Sequence, residues 1–221
     1  KGQVDFENVT FGYEPGIHIL ENLSFSVTPG ENIALVGPTG AGKSTVVNLI
    51  SRFYNLNSGA VKIDGHDISK VTLHSLRSQM GIMMQDSFIF SGTILDNIRY
   101  GRLDATKEEV IEAAKMVKAH DFIVEMEDGY ETEVNERGSR LSQGQKQLIA
   151  FARTLLSDPA ILILDEATSA IDTKTEKLLQ DGIQVLLKGR TSFIIAHRLS
   201  TIKSCDRIMY ISNKGILESG N

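Results

Sequence analysis

Nine residues near the start of the chain have the types and spacing that hold a phosphate group. Gly37-Pro-Thr-Gly-Ala-Gly-Lys-Ser-Thr45 matches the pattern G-x-x-x-x-G-K-[ST]. The glycines of this pattern allow successive backbone N–H groups to point at a phosphate, and its lysine adds a positive charge. The predicted phosphate-binding residues are Gly37, Pro38, Thr39, Gly40, Ala41, Gly42, Lys43, Ser44 and Thr45.

Two adjacent acids form a second candidate group. Asp165 and Glu166 follow the apolar run Ile161-Leu-Ile-Leu164, and the carboxyl ends of such buried strands border the ligand crevice of open α/β sheets. Asp165 is placed like the acid that holds Mg²⁺ together with the hydroxyl of Ser44. Glu166 can then orient or deprotonate an attacking water as a general base. The alternative is an acidic helix cap after a core strand, and the phosphate-binding loop favours the catalytic interpretation.

These residues require a strand before the phosphate-binding loop and a helix after it. Asn32-Ile-Ala-Leu-Val36 is an apolar run, typical of a strand that is buried on both faces. Apolar residues then recur at helical spacing, so the amino end of a helix faces the phosphates. The predicted apolar face of that helix comprises Val46, Val47, Leu49, Ile50 and Phe53.

The remaining elements follow from the same patterns. Alternation of apolar and polar residues over the first thirty residues, and again over Ala60–Asp64, predicts antiparallel strands. Helical patterns prevail from residue 72 to 157, with a helix over Thr106–Val117 that Thr106 caps. Strands and helices then alternate, which favours a parallel sheet with covering helices. These last elements are predicted over Ile161–Leu164, Thr173–Leu187, Ser192–Ile195 and Arg207–Ile211.

Composition narrows the class of protein. The chain has 221 residues, of which 41% are hydrophobic and 23% charged, enough for one domain with a substantial core. A formal net charge of -5 supplies no basic field of the kind that attracts nucleic acid, so we predict no nucleic-acid partner. Cys205 is the only cysteine, which excludes an intrachain disulfide and favours a small buried side chain. No apolar stretch reaches the roughly 20 residues of a membrane-spanning helix, so we expect the chain itself to be soluble.

Leu141-Ser-Gln-Gly-Gln145 resembles the signature motif of ATP-binding-cassette (ABC) transporters, and the resemblance to their nucleotide-binding domain extends over essentially the whole chain. It implies an α/β fold: a P-loop NTPase core with a mixed sheet, an antiparallel β subdomain and a helical subdomain. Residues 1–71 and 158–221 would form the ATP-binding core with the β subdomain, and residues 72–157 the helical subdomain. The implied cofactors are ATP and Mg²⁺, and the implied reaction is ATP hydrolysis between two domains packed head to tail.

The resemblance also assigns roles to single residues. Tyr13 would stack on adenine, and His197, which follows the predicted strand ending near Ala196, would contact the γ-phosphate. Gln85 would contact Mg²⁺ and the attacking water and link them to the transmembrane partner. The signature of a second domain would contact the nucleotide through Ser142, Gly144 and Gln145, and the segment Ser169-Ala-Ile-Asp172 would cross the dimer.

Two segments resemble the exporter branch of the family. They are Gln85–Gly101 and Thr132–Gly138, and the resemblance implies that Gln85 and Glu136–Gly138 meet transmembrane domains. The chain would be an excised piece on the cytoplasmic face of a membrane, since Ile216–Asn221 stops where relatives continue into a further helical segment. Two alternatives remain: a soluble ABC-type ATPase acting as a mechanical switch in DNA repair, chromosome maintenance or translation, and a regulatory module that holds ATP without turnover.

Gln143 occupies the third position of the signature motif, where glycine is the commonest residue in the ABC family. Altered signatures occur in heterodimeric exporters in which one of two ATP sites is weakened. We therefore hypothesise that Glu166 and His197 form a competent catalytic half, while the strength of the site that Gln143 serves is left open, since Ser142 and Gly144 of the signature are kept.

Overall fold

The computed structural model describes residues 1–84, 87–135, 140–166 and 171–220. Two compact units divide the chain. The first comprises Lys1–Ile82, Ala160–Glu166 and Gly189–Asn221, and the second comprises Met83–Pro159 and Ala167–Lys188. None of the helices formed by the described residues is long and apolar enough to span a bilayer.

The described residues form twelve strands and eight α-helices, numbered separately in chain order. The strands are β1 Val4–Phe11, β2 Leu20–Val27, β3 Asn32–Val36, β4 Ser58–Ile63, β5 His66–Asp67, β6 Met80–Met83, β7 Gly92–Thr93, β8 Glu133–Val134, β9 Ile161–Asp165, β10 Thr191–Ile195, β11 Arg207–Ser212 and β12 Gly215–Gly220. The α-helices are α1 Lys43–Ile50, α2 Leu73–Arg77, α3 Ile94–Arg99, α4 Lys107–Met116, α5 His120–Val124, α6 Gln143–Ser157, α7 Thr173–Leu187 and α8 Leu199–Lys203. Single 3₁₀ turns occupy Ile68–Lys70 and Gly129–Glu131.

A mixed six-stranded sheet, in the order β12-β11-β3-β10-β9-β6, supports the first unit. Strands β11, β3, β10 and β9 pair in parallel in that order, and β12 runs antiparallel to β11. A separate four-stranded sheet in the order β2-β1-β4-β5 is antiparallel. The predicted fold class, with its mixed sheet and antiparallel β subdomain, is confirmed. Strands β6 and β12 and the two-residue strands β5, β7 and β8 were not predicted.

The central strands are apolar because both of their faces are covered. All five residues of β10 are buried, as are the first four of β9, which accounts for the unbroken apolar runs in the sequence. The predicted strand over Asn32–Val36 and the predicted helix over Thr173–Leu187 have the bounds that the structure gives them. The core of this unit includes Ile33, Leu35, Val46, Leu49, Ile50, Ile163, Phe193 and Met209.

The apolar face of α1 is shorter than predicted. Val46, Val47, Leu49 and Ile50 are buried on this helix, but the assignment of Phe53 to the same face is wrong. The helix ends at Ile50 because Arg52 adopts a left-handed conformation, with φ of 51°. Phe53 is consequently 47% exposed, and the guanidinium carbon of Arg77 lies 4.7 Å from its ring centroid.

Helices dominate the second unit, where α6 packs against α3, α4 and α7. The predicted cap of α4 is confirmed: the hydroxyl of Thr106 accepts from the N–H of Glu109, whose carboxylate accepts from the N–H of Thr106. This reciprocal arrangement satisfies two N–H groups that a helix start otherwise leaves without a partner.

Candidate functional site

The phosphate-binding loop joins β3 to α1 and depends on glycine at three positions. Gly37, Gly40 and Gly42 have φ of 145°, 78° and 109°, values that residues with a Cβ rarely adopt. Gly37 has a second constraint, since a Cβ there would lie 2.1 Å from the backbone oxygen of Ile211 in β11. The loop conformation is therefore specific to glycine, and its first glycine also permits close packing on the neighbouring strand.

Lys43 begins α1 and lies over the loop that precedes it. Its ammonium group donates hydrogen bonds to the backbone oxygens of Gly37 and Pro38, at 2.7 and 2.9 Å. Burial lowers the pKa of Lys43, and the negative charge of Asp165 opposes that shift. The positive charge is thus held at the loop and interacts with the acid at the end of β9.

The hydroxyls that follow Lys43 differ in their surroundings. Ser44 is exposed in the first turn of α1, where helix N–H groups favour an anion. Thr45 is buried, and its hydroxyl lies 3.0 Å from the hydroxyl of Tyr13. Ser44 is therefore available to a ligand, whereas Thr45 anchors Tyr13 to the helix.

Tyr13 stands beside the phosphate-binding helix within an aromatic cluster. Its ring is edge-on to those of Phe11 and Tyr54, with centroids 4.9 and 5.0 Å away. About half of the residue, 49%, remains exposed. The structure thus orients an accessible aromatic ring next to α1, and its role towards adenine stays a prediction.

Asp165 and His197 occupy the same edge of the sheet. Asp165 ends β9 and is paired with Ile195 at the end of β10, two residues before His197. The Nε2 of His197 is 3.9 Å from Oδ1 of Asp165. Burial raises the pKa of Asp165, while the charges of His197 and Lys43 act in the opposite direction. Because β10 also pairs with β3, three groups lie at the ends of neighbouring parallel strands: the phosphate-binding loop, Asp165 and His197.

The carboxylate of Glu166 is buried, with only 3% of the residue exposed. Its Oε2 accepts hydrogen bonds from the backbone N–H groups of His197 and Arg198, at 2.8 and 2.9 Å. Its Oε1 accepts from the hydroxyl of Thr201 at 2.6 Å and lies 3.9 Å from a guanidinium nitrogen of Arg198. Sequence patterns did not indicate Arg198 or Thr201, because their proximity to Glu166 depends on the alignment of β9 with β10.

The predicted signature residues lie in the second unit, at the start of α6. Ser142 caps this helix: its hydroxyl accepts from the N–H of Gln145, whose side-chain oxygen accepts from the N–H of Ser142. Gly144 is buried, and a Cβ at this position would lie 2.2 Å from Cγ2 of Thr175 in α7. Asp172 caps α7 by accepting from the N–H of Thr175 at 2.9 Å.

Hydrogen bonding by Thr175, through its side chain first and its backbone second, lowers the pKa of Asp172. The cap of α7 is therefore a carboxylate at neutral pH. Each of the predicted site residues that the structure describes in the second unit has a local structural role. A contact with a nucleotide stays a prediction for Ser142, Gly144, Gln145 and Asp172.

Several predicted site residues lie outside the part of the chain that the structure describes. They are Gln85, Glu136–Gly138, Ser169 and Ala170.

Comparison with known proteins adds independent findings. The family profile of the ABC transporter matches residues 20–169. The uncharacterized ABC transporter ATP-binding protein YknV of Bacillus subtilis (strain 168) is 54% identical over 220 residues, which cover 100% of this chain and 36% of that protein. ATP-binding cassette sub-family B member 6 of Homo sapiens is 50% identical over 220 residues, covering 100% of this chain and 26% of that protein.

A solved structure provides a third comparison. A bacterial Atm1-family ABC exporter with ATP bound is similar, with a TM-score of 0.92 and 48% sequence identity. The match covers 100% of this chain and 39% of the exporter chain. The chain therefore spans well under half the length of these relatives.

Proposed function

Since the chain belongs to the ABC transporter family as one of its ATPase domains, we propose that it hydrolyses Mg·ATP to power export by transmembrane domains. The observation that carries the proposal is the convergence of three groups at one edge of the sheet. The phosphate-binding loop follows β3, Asp165 ends β9, and His197 follows β10. Ligands of open α/β sheets bind at this edge.

The residues suit a magnesium nucleotide. The exposed hydroxyl of Ser44 and the carboxylate of Asp165 are oxygen donors of the kind that Mg²⁺ prefers, and Gln85 is the third predicted ligand. When bound, the metal supplies positive charge that neutralises the phosphates. The loop N–H groups and the ammonium of Lys43 hold those phosphates in place, and Tyr13 packs on the adenine ring.

The chemical step requires a base and a charge-stabilising group. Glu166 accepts a proton from water while the water oxygen forms a bond to the γ-phosphorus. The bond between that phosphorus and its bridging oxygen breaks, and ADP and phosphate are the products. Lys43 and His197 stabilise the charge on the transferring phosphoryl group.

A second domain completes the site. We propose that two nucleotide-binding domains, from the same or a homologous chain, pack head to tail around two nucleotides. Ser142, Gly144 and Gln145 of each would contact the nucleotide held by the other, and Asp172 would lie at the crossing. The segments at Gln85 and at Glu136–Gly138 would meet the transmembrane domains, and the chain would then lie on the cytoplasmic face of a membrane. The exporter relative with ATP bound supports this arrangement over a soluble mechanical switch.

The variant Glu166→Gln tests the proposed reaction. It keeps the shape of the side chain but removes the base, so ATP binding should persist while turnover falls by about a hundredfold or more. Glu218→Gln, on the exposed face of β12, is the matched control and should retain the wild-type rate. Turnover by Glu166→Gln within a few fold of the wild type would exclude Glu166 as the base.

Protein concentration tests the pairing. If the chain pairs with itself, the Mg·ATPase rate should rise as the square of its concentration, and Glu166→Gln should lower it by about a hundredfold or more at every concentration. ATP binding without turnover at any concentration would instead indicate an obligate partner of different sequence, as Gln143 suggests.

A further inference from the structure

We infer that Thr201 is a positioning residue that holds Glu166 in a retracted, water-excluded conformation from which it must be released before hydrolysis. This inference rests on the proposed role of Glu166 as the general base. Its structural basis is the set of donors that surround the carboxylate: the N–H groups of His197 and Arg198 and the hydroxyl of Thr201.

The retracted carboxylate is in the wrong place for its reaction. A general base must come within hydrogen-bond reach of the water whose proton it accepts. In Glu166 both carboxylate oxygens point at protein donors, and 3% of the residue is exposed. The side chain therefore has to rotate away from these donors to meet water beside a γ-phosphate.

Thr201 is the donor whose removal can release the carboxylate without disturbing the backbone. Its bond to Oε1, at 2.6 Å, is the shortest of the three, and a hydroxyl bond to a charged acceptor is stronger than one between neutral groups. Thr201 has no exposed surface, so water does not readily replace a deleted hydroxyl. The backbone oxygen of Thr201 accepts from the side chains of Ser204 and Cys205, at 2.7 and 3.3 Å, which fixes Thr201 within α8.

Arg198 reinforces the retracted conformation but does not replace the hydroxyl. Its guanidinium nitrogen is 3.9 Å from Oε1, beyond hydrogen-bond distance. Loss of the Thr201 hydroxyl therefore weakens the hold on Oε1 and leaves Oε2 with its two N–H donors. The population of released Glu166 should increase as a result.

The variant Thr201→Val removes the hydroxyl while keeping the shape of the side chain. A hydrogen bond to a charged group shifts an equilibrium by roughly ten- to a hundredfold, so a rise in kcat of about three- to tenfold is a conservative expectation. KM for ATP should not change, because Thr201 contacts the carboxylate and not the nucleotide. Thr201→Ser restores the hydroxyl and should return kcat to the wild-type value.

The experiment measures kcat and KM of the Mg·ATPase for wild type, Thr201→Val and Thr201→Ser, each also in the Glu166→Gln background. The expected result is a rise in kcat for Thr201→Val alone, with no rise in Glu166→Gln/Thr201→Val. An unchanged or lower kcat in Thr201→Val overturns the inference, as does a Thr201→Ser variant that behaves like Thr201→Val. Wild-type turnover by Glu166→Gln overturns the proposed function instead, so the two failures are distinguishable.

A labelling measurement separates release of Glu166 from local unfolding. Cys205 is the only cysteine and is tied to the backbone oxygen of Thr201, so its reaction with a thiol reagent reports on the integrity of α8. Because Glu166 makes only the smallest contribution to the raised pKa of Cys205, the labelling rate of Thr201→Val should stay within a few fold of the wild-type rate. A rise in kcat that comes with much faster labelling would attribute the effect to unfolding of α8 and overturn the inference. If Thr201→Val does not fold, Thr201→Ala leaves room for the released side chain and is subject to the same outcomes.

Discussion

Substitution of Gly37 by alanine tests whether the first glycine of the phosphate-binding loop is required by packing as well as by backbone conformation. The added Cβ would lie 2.1 Å from the backbone oxygen of Ile211 and 3.2 Å from its carbonyl carbon. Both atoms belong to the main chain of β11, which pairs with β3 and β12 and cannot move away as a flexible side chain would. Gly40→Ala is the matched control, because Gly40 also has a positive φ, of 78°, but a Cβ added there would have no neighbouring atom of the described chain within 4 Å.

The expected magnitudes follow from these two environments. Left-handed backbone costs a residue with a Cβ about 1–2 kcal/mol, and both variants incur this cost. Overpacking adds about 1–3 kcal/mol in Gly37→Ala only. For a chain of this size, each kcal/mol lowers the melting temperature by roughly 2–4 °C. We therefore expect losses of about 4–20 °C for Gly37→Ala and about 2–8 °C for Gly40→Ala.

Thermal unfolding followed by circular dichroism, with all variants scanned under the same conditions, measures this difference. At a temperature where both variants are folded, Gly40→Ala should weaken ATP binding more than Gly37→Ala does. The reason is that the Cβ of Gly40→Ala projects from the loop that cradles the phosphates, whereas that of Gly37→Ala points at β11. Equal melting temperatures for the two variants would refute the packing argument. So would a Gly37→Ala variant as stable as the wild type.

Two further predictions concern other parts of the chain. Gly144→Ala places a Cβ 2.2 Å from Cγ2 of Thr175 and should lower the free energy of unfolding by about 1–3 kcal/mol; urea titration should show this loss and its recovery in Gly144→Ala/Thr175→Ser, which lacks the methyl group. Burial, with smaller contributions from Asp206 and Glu166, raises the pKa of Cys205 to about 11. Its labelling rate should therefore increase tenfold per pH unit through pH 9 without levelling off, and a plateau below pH 9.5 would contradict the shift. The folded state holds the thiol proton of Cys205 more tightly than the unfolded state does, so the protonated thiol adds to the free energy of unfolding at neutral pH. This contribution is lost as the pH rises through 11.

The structural elements that sequence predicted correctly depend on neighbours in the chain. Residues only a few positions apart determine the loop over Gly37–Thr45, the strand before it and the helix after it. The same holds for the cap that Thr106 provides for α4. Local hydrogen bonds and helical spacing decide such features, and both are visible in a single sequence. Asp165 was predicted for a similar reason, since an apolar run of strand length ends directly before it.

The parts that sequence missed depend on distant residues. Strand β6 escaped prediction because its four residues pair at a sheet edge and carry too short a pattern to distinguish it from the helical segments around it. Phe53 was misassigned because the end of α1 depends on the left-handed conformation of Arg52. The guanidinium of Arg52 donates to the backbone oxygens of Ile68 and Val71, contacts that helical periodicity cannot reveal.

Glu166 shows why the position of a residue in the sequence does not determine its conformation. The apolar strand before it indicated an acid at the sheet edge, but its carboxylate is bound by donors 31 to 35 positions further along the chain. Those donors reach it because β9 and β10 are parallel neighbours in register, Asp165 opposite Ile195. The same pairing that delivers Asp165 to the sheet edge therefore also brings Thr201 to Glu166. Sequence predicts Glu166 as the base, but the strand register and the first turn of α8 decide whether its carboxylate rests in contact with water.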